Sequence, residues 1–188
     1  MTPKQRYPLH TAQVIGESLR LRLEPFTNRI EIAGSIRRGR EDVGDIELVY
    51  VPYLRYPTDL FGDILGQTDD IDSVLARMIK QDQLEKRKNS AGRFIGYGSK
   101  NKYLVDVGTG IPVDIFSAPK ANFGMTMVIR TGPAEFNMRL MQRFLDLGMK
   151  GHVSDGIEDK WGNWILCATE EEVFELAQWD YLEPEDRR

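Results

Sequence analysis

Cysteine is almost missing from this 188-residue sequence. Cys167 is the single one, so neither an internal disulfide nor a cysteine-based zinc cluster can form, and a reducing interior such as the cytoplasm is the expected setting. No stretch is apolar enough to span a bilayer, and the opening Met1-Thr2-Pro3-Lys4-Gln5-Arg6 lacks the apolar segment of a signal peptide. Internal repeats and low-complexity segments are absent too. Excess positive charge is also wanting: 25 Lys and Arg against 29 Asp and Glu give a net charge of −4, which argues against nucleic-acid binding by bulk charge alone. The charge is unevenly spread, however. Acid gathers in Glu170-Glu171-Glu172 and in Glu183, Glu185 and Asp186, while Arg37, Arg38 and Arg40, Lys86-Arg87-Lys88, and Lys100 with Lys102 form basic clusters. A local positive groove on an acidic protein is compatible with that pattern. At 41% hydrophobic and 29% charged residues, the chain reads as an ordinary soluble globular protein with one substantial core, divisible between two subdomains.

The most specific stretch is Gly34-Ser35-Ile36-Arg37-Arg38-Gly39, followed by Gly44-Asp45-Ile46-Glu47. Ile46 and Leu48-Val49-Tyr50-Val51 form an apolar run that reads as a buried strand. In a strand, alternate side chains share a face, so Asp45 and Glu47 project together while Ile46 points away. Two acids on one face repel unless a cation lies between them. Mg²⁺, a hard ion that takes carboxylate and phosphate oxygens, is the natural candidate. Upstream, Glu31-Ile32-Ala33 reads as the preceding strand. Gly34 lets the chain turn so that backbone N–H groups and the Ser35 hydroxyl face phosphate oxygens, and Arg38 adds charge-assisted bonds to the outer phosphates. Together these residues have the makings of a nucleoside triphosphate site.

The rest of the chain supplies a frame. The spacing of Leu9, Ala12, Val14, Ile15, Leu19 and Leu23 predicts a helix over 8–23, with Pro8 in its first turn. Residues 52–70 read as a loop, and Ile71 to Leu84 as a helix whose basic end is Lys86-Arg87-Lys88. Phe94 to Tyr97 is expected to be a strand. Tyr103 to Val107 and Ile111 to Phe116 are expected to form a hairpin across Gly108-Thr109-Gly110, which makes Asp106 and Asp114 both eligible as a third carboxylate. Glu135 to Leu147 is helical by pattern, with Arg139 and Arg143 four residues apart on one face. Trp161, Trp164 and Trp179 read as core residues.

At these motifs the chain resembles the family X DNA polymerases, the polymerase β-like branch of the nucleotidyltransferase superfamily. The family pattern is G-S-x-R-R-G, five residues, then D-x-D; here Glu47 takes the place of the second aspartate. Val113-Asp114-Ile115-Phe116, then Phe123-Gly124 and Arg130-Thr131-Gly132, are similar to the family's third aspartate, glycine and Y-F-T-G turn, which makes Asp114 the third carboxylate. Thr131-Gly132-Pro133-Ala134-Glu135-Phe136-Asn137 parallels T-G-x-x-x-F-N, and the closing Tyr181-Leu182-Glu183-Pro184-Glu185-Asp186-Arg187 resembles the family's x-Y-x-E-P-x-D-R end, where its role is structural. One departure stands out: Ile129 and Arg130 replace the aromatic pair before Thr-Gly, and the second aromatic normally crowds the sugar's 2′ position.

The resemblance implies an α+β fold: a nucleotidyltransferase palm over residues 1–120 with a mixed sheet and packed helices, and a small nucleotide-clasping subdomain over 121–188. It implies two Mg²⁺ ions, replaceable by Mn²⁺, on Asp45, Glu47 and Asp114, and a triphosphate held by Gly34, Ser35, Arg38, Gly44 and Arg6, with Thr131, Gly132 and Asn137 at the sugar and base. Arg139, Arg143 and His152 are the candidate nucleic-acid contacts. The implied reaction is attack of a primer 3′-hydroxyl on the α-phosphate of a nucleoside triphosphate, a deoxynucleotide by preference, on primer-template or gapped DNA in repair. The family's DNA-gripping and lyase domain has no counterpart in the sequence, so an accessory DNA-binding protein is expected to supply grip. The alternatives are a template-independent transferase acting on an RNA end, a small molecule or a protein, and a non-catalytic module that binds DNA ends.

Overall fold

The computed structural model describes residues 5–152 and 155–187; the opening residues 1–4, where the sequence was read for a signal peptide, lie outside them. In chain order the elements are β1 (Tyr7–Pro8), α1 (Leu9–Leu23), β2 (Thr27–Ile32), α2 (Gly34–Arg37), β3 (Asp42–Val43), β4 (Ile46–Pro52), β5 (Leu54–Arg55), β6 (Thr68–Asp69) and α3 (Asp70–Lys80). They continue with β7 (Leu84–Lys86), β8 (Asn101–Asp106), β9 (Pro112–Ser117), α4 (Phe123–Thr131), α5 (Ala134–Asp146), β10 (Lys150–His152), β11 (Gly156–Glu158), β12 (Trp164–Ile165) and α6 (Glu170–Leu176). This is the mixed α and β composition expected of an α+β chain.

The central sheet has the strand order β2-β4-β9-β8-β7. It is mixed: β4 and β9 run parallel, and the other pairs are antiparallel. Alternation along β4 explains its position in the middle. Ile46, Leu48 and Tyr50 join Ala12, Leu19 and Leu23 of α1 and Val74, Leu75 and Met78 of α3 in one core. On the opposite face Val49 and Val51 meet Phe116 of β9 and Phe123 and Met127 of α4 in a second core. A strand buried on both faces needs a continuous apolar run, which Leu48 to Val51 provides. Each such fully buried side chain contributes about 1.5–3 kcal/mol relative to exposure. A third core, built from Met125, Val128, Phe136, Leu140, Phe144, Ile157, Val173 and Phe174, lies wholly in the C-terminal part of the chain.

Several expected elements shift. Pro8 is extended and stands just before α1 as its N-cap, with ψ of 136°, so it precedes the first turn instead of occupying it. Helix α3 ends at Lys80, short of Leu84, because Asp82 takes a φ of 53°; the Gln83 N–H then reaches the Met78 carbonyl (3.0 Å) in the usual left-handed helix stop. Residues 94–97 form only isolated bridges, Lys88 with Phe94 and Tyr97 with Lys102. The segment read as a loop carries the β5–β6 pair. Trp161 and Trp164 are not core residues: they are 75% and 52% exposed, while Trp179 does pack against the C-terminal core.

Three surface hairpins share one tip. Asp59-Leu60-Phe61-Gly62-Asp63, Asn89-Ser90-Ala91-Gly92-Arg93 and Asp159-Lys160-Trp161-Gly162-Asn163 each begin with an Asx oxygen that accepts from the N–H groups two and four residues on. Each places its glycine at positive φ, 91°, 74° and 84°, where a side chain would be strained.

Candidate active site

Strand pairing assembles the three predicted carboxylates. Glu47 on β4 and Asp114 on β9 are partners in register, so both project from the same face of the sheet, and Asp45 enters β4 two residues earlier. Asp114 is buried and Glu47 half-buried. Burial first, then the charges of Asp45 and Asp114, push the Glu47 carboxyl up to about 8, with Arg130 and Arg38 pulling the other way. A carboxyl raised this far by burial, with two other acids adding to the shift, marks a point short of positive charge.

Gly34 fits this point closely. Its φ is +67°, and a Cβ there would overlap a Glu47 carboxylate oxygen, so only glycine lets the turn approach the acids. The turn is a single helical turn, α2, and not the simple link between strands that the sequence implied; its backbone is closed by Arg38 N–H to the Gly34 carbonyl (3.2 Å). Two neighbouring arginines then reach the same distant residue. Arg37 donates to the Thr131 hydroxyl (3.0 Å), and Arg38 donates to the Thr131 carbonyl. Gly132 follows at a φ of 61°, close beside the Arg38 guanidinium. Asn137 donates to the Ile129 carbonyl (2.7 Å). Its side-chain oxygen is buried with no hydrogen-bond partner among the described residues. Ser35 is half-buried within α2, and Gly44 is buried immediately before Asp45.

Other candidate residues have different work. Arg6 donates to the Asp42 carboxylate (2.8 and 2.6 Å) and to the Asp42 carbonyl (2.7 Å), which fastens the start of β1 to β3. Arg143 donates to the Ala177 carbonyl (2.8 Å) and to Gln178 (3.1 Å). It therefore closes the end of α6, where orphan carbonyls need donors, instead of standing free for a template backbone. His152 packs against Trp164 with ring centroids 4.9 Å apart and planes tilted by 59°, and lies 3.5 Å from Glu158, so it is a packed residue and not a free surface histidine. Arg139 is exposed on α5. Asp106, the rival third acid, accepts from the Thr109 N–H and hydroxyl (2.9 and 2.7 Å) and so pins its own hairpin.

Sequence reasoning missed Arg87. It follows β7 and pairs with Asp114 at 2.8 Å; the Lys-Arg-Lys run disguised it, since Lys86 and Lys88 lie over the rings of Tyr97 and Phe94 (4.2 and 5.2 Å). It also missed the role of Glu170, which accepts from Arg37 and from Arg187 (both 2.9 Å) and ties the turn to the last residues of the chain. The donors Asp45, Glu47 and Asp114 suit a hard divalent ion in kind and in strand register. As placed, they are not gathered round one point: among the described residues no group of three His, Cys, Asp or Glu side chains is arranged to hold a metal, and Asp114 is turned toward Arg87. A 560 Å³ cavity lies instead at the far end of β4, lined by Pro52, Asp69, Asp72, Lys100 and Ser117.

The C-terminal part carries a family likeness. Residues 126–188 match the DNA polymerase beta thumb family. DNA polymerase lambda of Rattus norvegicus is a relative, 24% identical over 197 residues that cover 97% of this chain and 33% of the relative. The chain thus spans about a third of the length of the curated relative it matches, and the two findings together mark it as family X polymerase-like.

Proposed function

We propose that the chain is a nucleotidyltransferase that extends a primer on a DNA template, with residues up to about 120 serving as a nucleotidyltransferase palm and the C-terminal part closing on the nascent base pair. The observation that carries this reading is the register pairing of Glu47 with Asp114, beside Asp45 and against the glycine turn. In it, Asp45, Glu47 and Asp114 would hold Mg²⁺, which would supply charge neutralisation at the phosphates and a more acidic hydroxyl. The chain's own residues do the rest. Gly34 and Ser35 offer N–H and hydroxyl donors to phosphate oxygens, and Arg38, already hydrogen-bonded to Thr131, sets the triphosphate relative to the Thr131-Gly132 turn. Preorganised donors of this kind stabilise charge without reorganising during the reaction. The Asn137 side-chain oxygen is buried without a hydrogen-bond partner among the described residues, and in this reading it is uncovered to meet a nucleotide edge.

Primer extension tests this. The protein is incubated with Mg²⁺, a labelled primer on a template, and each nucleotide in deoxy and ribo form. Extension only by the complementary nucleotide, reduced about 100- to 1,000-fold in Asp114→Asn, is the expected result; unchanged turnover by Asp114→Asn overturns the assignment. A second reading, untemplated transfer to another acceptor, draws on specific contacts: Arg143 and His152 are occupied within the fold, which leaves fewer groups to grip a template. Addition that ignores the template sequence would select it.

A further inference from the structure

Four residues form one row across the central sheet. Glu47 on β4 is the register partner of Asp114 on β9, and Asp114 is also the register partner of Tyr103 on β8. The Tyr103 carbonyl in turn accepts the N–H of Arg87 (3.0 Å), the residue that follows β7. Side chains in one row stand on one face of a sheet, and Arg87 uses that geometry. Its guanidinium lies over the Tyr103 ring, 4.9 Å from the centroid, and reaches the Asp114 carboxylate at 2.8 Å. Two strand spacings, about 10 Å, separate the two backbones, a span that a long basic side chain meeting a short acid can close. Both side chains are largely buried, 21% and 13% exposed. The Arg87 backbone is held on its other side as well, since its carbonyl accepts from the Ile95 N–H (3.0 Å). The Arg87 Nε is buried with no hydrogen-bond partner among the described residues, so the guanidinium fork is only partly used.

The direction of this ion pair carries the consequence. Within the row Asp114 stands between Tyr103 and Glu47, so turning toward Arg87 takes its carboxylate away from Glu47. We infer that Arg87 is a latch on the third carboxylate: in the free protein it holds Asp114 out of the group with Asp45 and Glu47, and Asp114 completes a divalent-ion site only on leaving the guanidinium. Arg87 is thus a positioning residue that acts through Asp114. Metal affinity is then lowered by the fraction of molecules in which Asp114 is released. The inference rests on the proposed site, but the hold on Asp114 can be read without any reaction.

Mn²⁺ binding to the free protein, followed by electron paramagnetic resonance, tests the latch. Arg87→Met removes the charge while keeping an unbranched side chain, and is expected to tighten binding about tenfold, as when a competing state occupied about nine-tenths of the time is removed. Lys86→Met removes a charge one residue away that lies over Tyr97, and is expected to change binding by less than about twofold. Unchanged or weaker binding in Arg87→Met overturns the latch. So does equal tightening in the two variants, which would reduce Arg87 to a general charge effect. Arg87→Gln repeats the comparison if the methionine variant does not fold. Binding by none of these proteins is the failure of the functional reading, distinct from failure of the latch, and the hold on Asp114 is then decided by denaturant midpoints in metal-free buffer. A midpoint shift on Arg87→Met that disappears in the Asp114→Asn background supports the hold, and an identical shift in both backgrounds overturns it.

Discussion

Replacing Glu170 with alanine removes the acid that two arginines share. Arg187 is fully buried, Glu170 is 9% exposed, and their ion pair is 2.9 Å long; Arg37 meets the same carboxylate from the other side. Without Glu170, a guanidinium held among Phe136, Phe174 and Tyr181 has lost its counter-charge in a place water does not reach. Breaking a buried pair by removing one partner costs about 3–5 kcal/mol. For a domain of this size that corresponds to a fall in Tm of roughly 6–20 °C. Thermal unfolding followed by circular dichroism reads it, and a loss under about 1 kcal/mol, the range of an exposed pair, would refute the reasoning. The pH dependence gives a second reading. Burial pushes Glu170 up, but hydrogen bonds and charge from Arg37 and Arg187 outweigh it and hold the acid below the usual carboxylate value. A lowered folded pKa adds stability above the unfolded value and loses it as pH falls through the folded one. The deficit of Glu170→Gln is therefore largest at neutral pH and shrinks in acid.

Other changes have outcomes that are as definite. Gly34→Ala places a methyl into the Glu47 carboxylate at a φ of +67°; it is expected to cost more than about 1 kcal/mol and to reduce primer extension to background. Gly124→Ala drives a Cβ into the Thr169 backbone, so α4 and α6 must separate, at a cost of about 1–3 kcal/mol in a denaturant titration. Arg143→Ala removes the donor to the Ala177 carbonyl. It is expected to lower stability by about 1–3 kcal/mol while leaving the salt dependence of DNA binding unchanged; a shallower salt slope would return Arg143 to the nucleic-acid surface.

The contrast between what the chain announces and what it conceals follows sequence separation. The strands that carry Glu47 and Asp114 were legible from their apolar neighbours, Leu48 to Val51 and Ile115-Phe116, which is a local pattern; their parallel pairing was not, since position alone left Asp106 equally eligible and the family resemblance selected Asp114. Helix α1 was legible from a local pattern too. The end of α3 was not, because no glycine or proline marks it and it is Asp82 that takes the left-handed conformation there. Arg87 and Glu170 were hidden by composition: a basic run and an acidic run look solvated until pairing across the fold brings one to Asp114 and the other to Arg37 and Arg187. Trp161 and Trp164 mislead in the opposite sense. Hydrophobicity predicts burial, but a short hairpin pinned by Asp159 holds Trp161 outward.

The solitary Cys167 makes motion in this protein measurable. Its thiol is buried, and burial followed by the charge of Glu172 pushes its pKa up to about 11, so almost none of it is thiolate at neutral pH and thiol-directed dyes will pass it by. Cysteines introduced at Ala91 and Lys160, on two of the hairpin tips closed by Asn89 and Asp159, become the sites that such reagents label. A fluorophore pair there reports the separation of the two halves of the chain directly, with the native cysteine left in place.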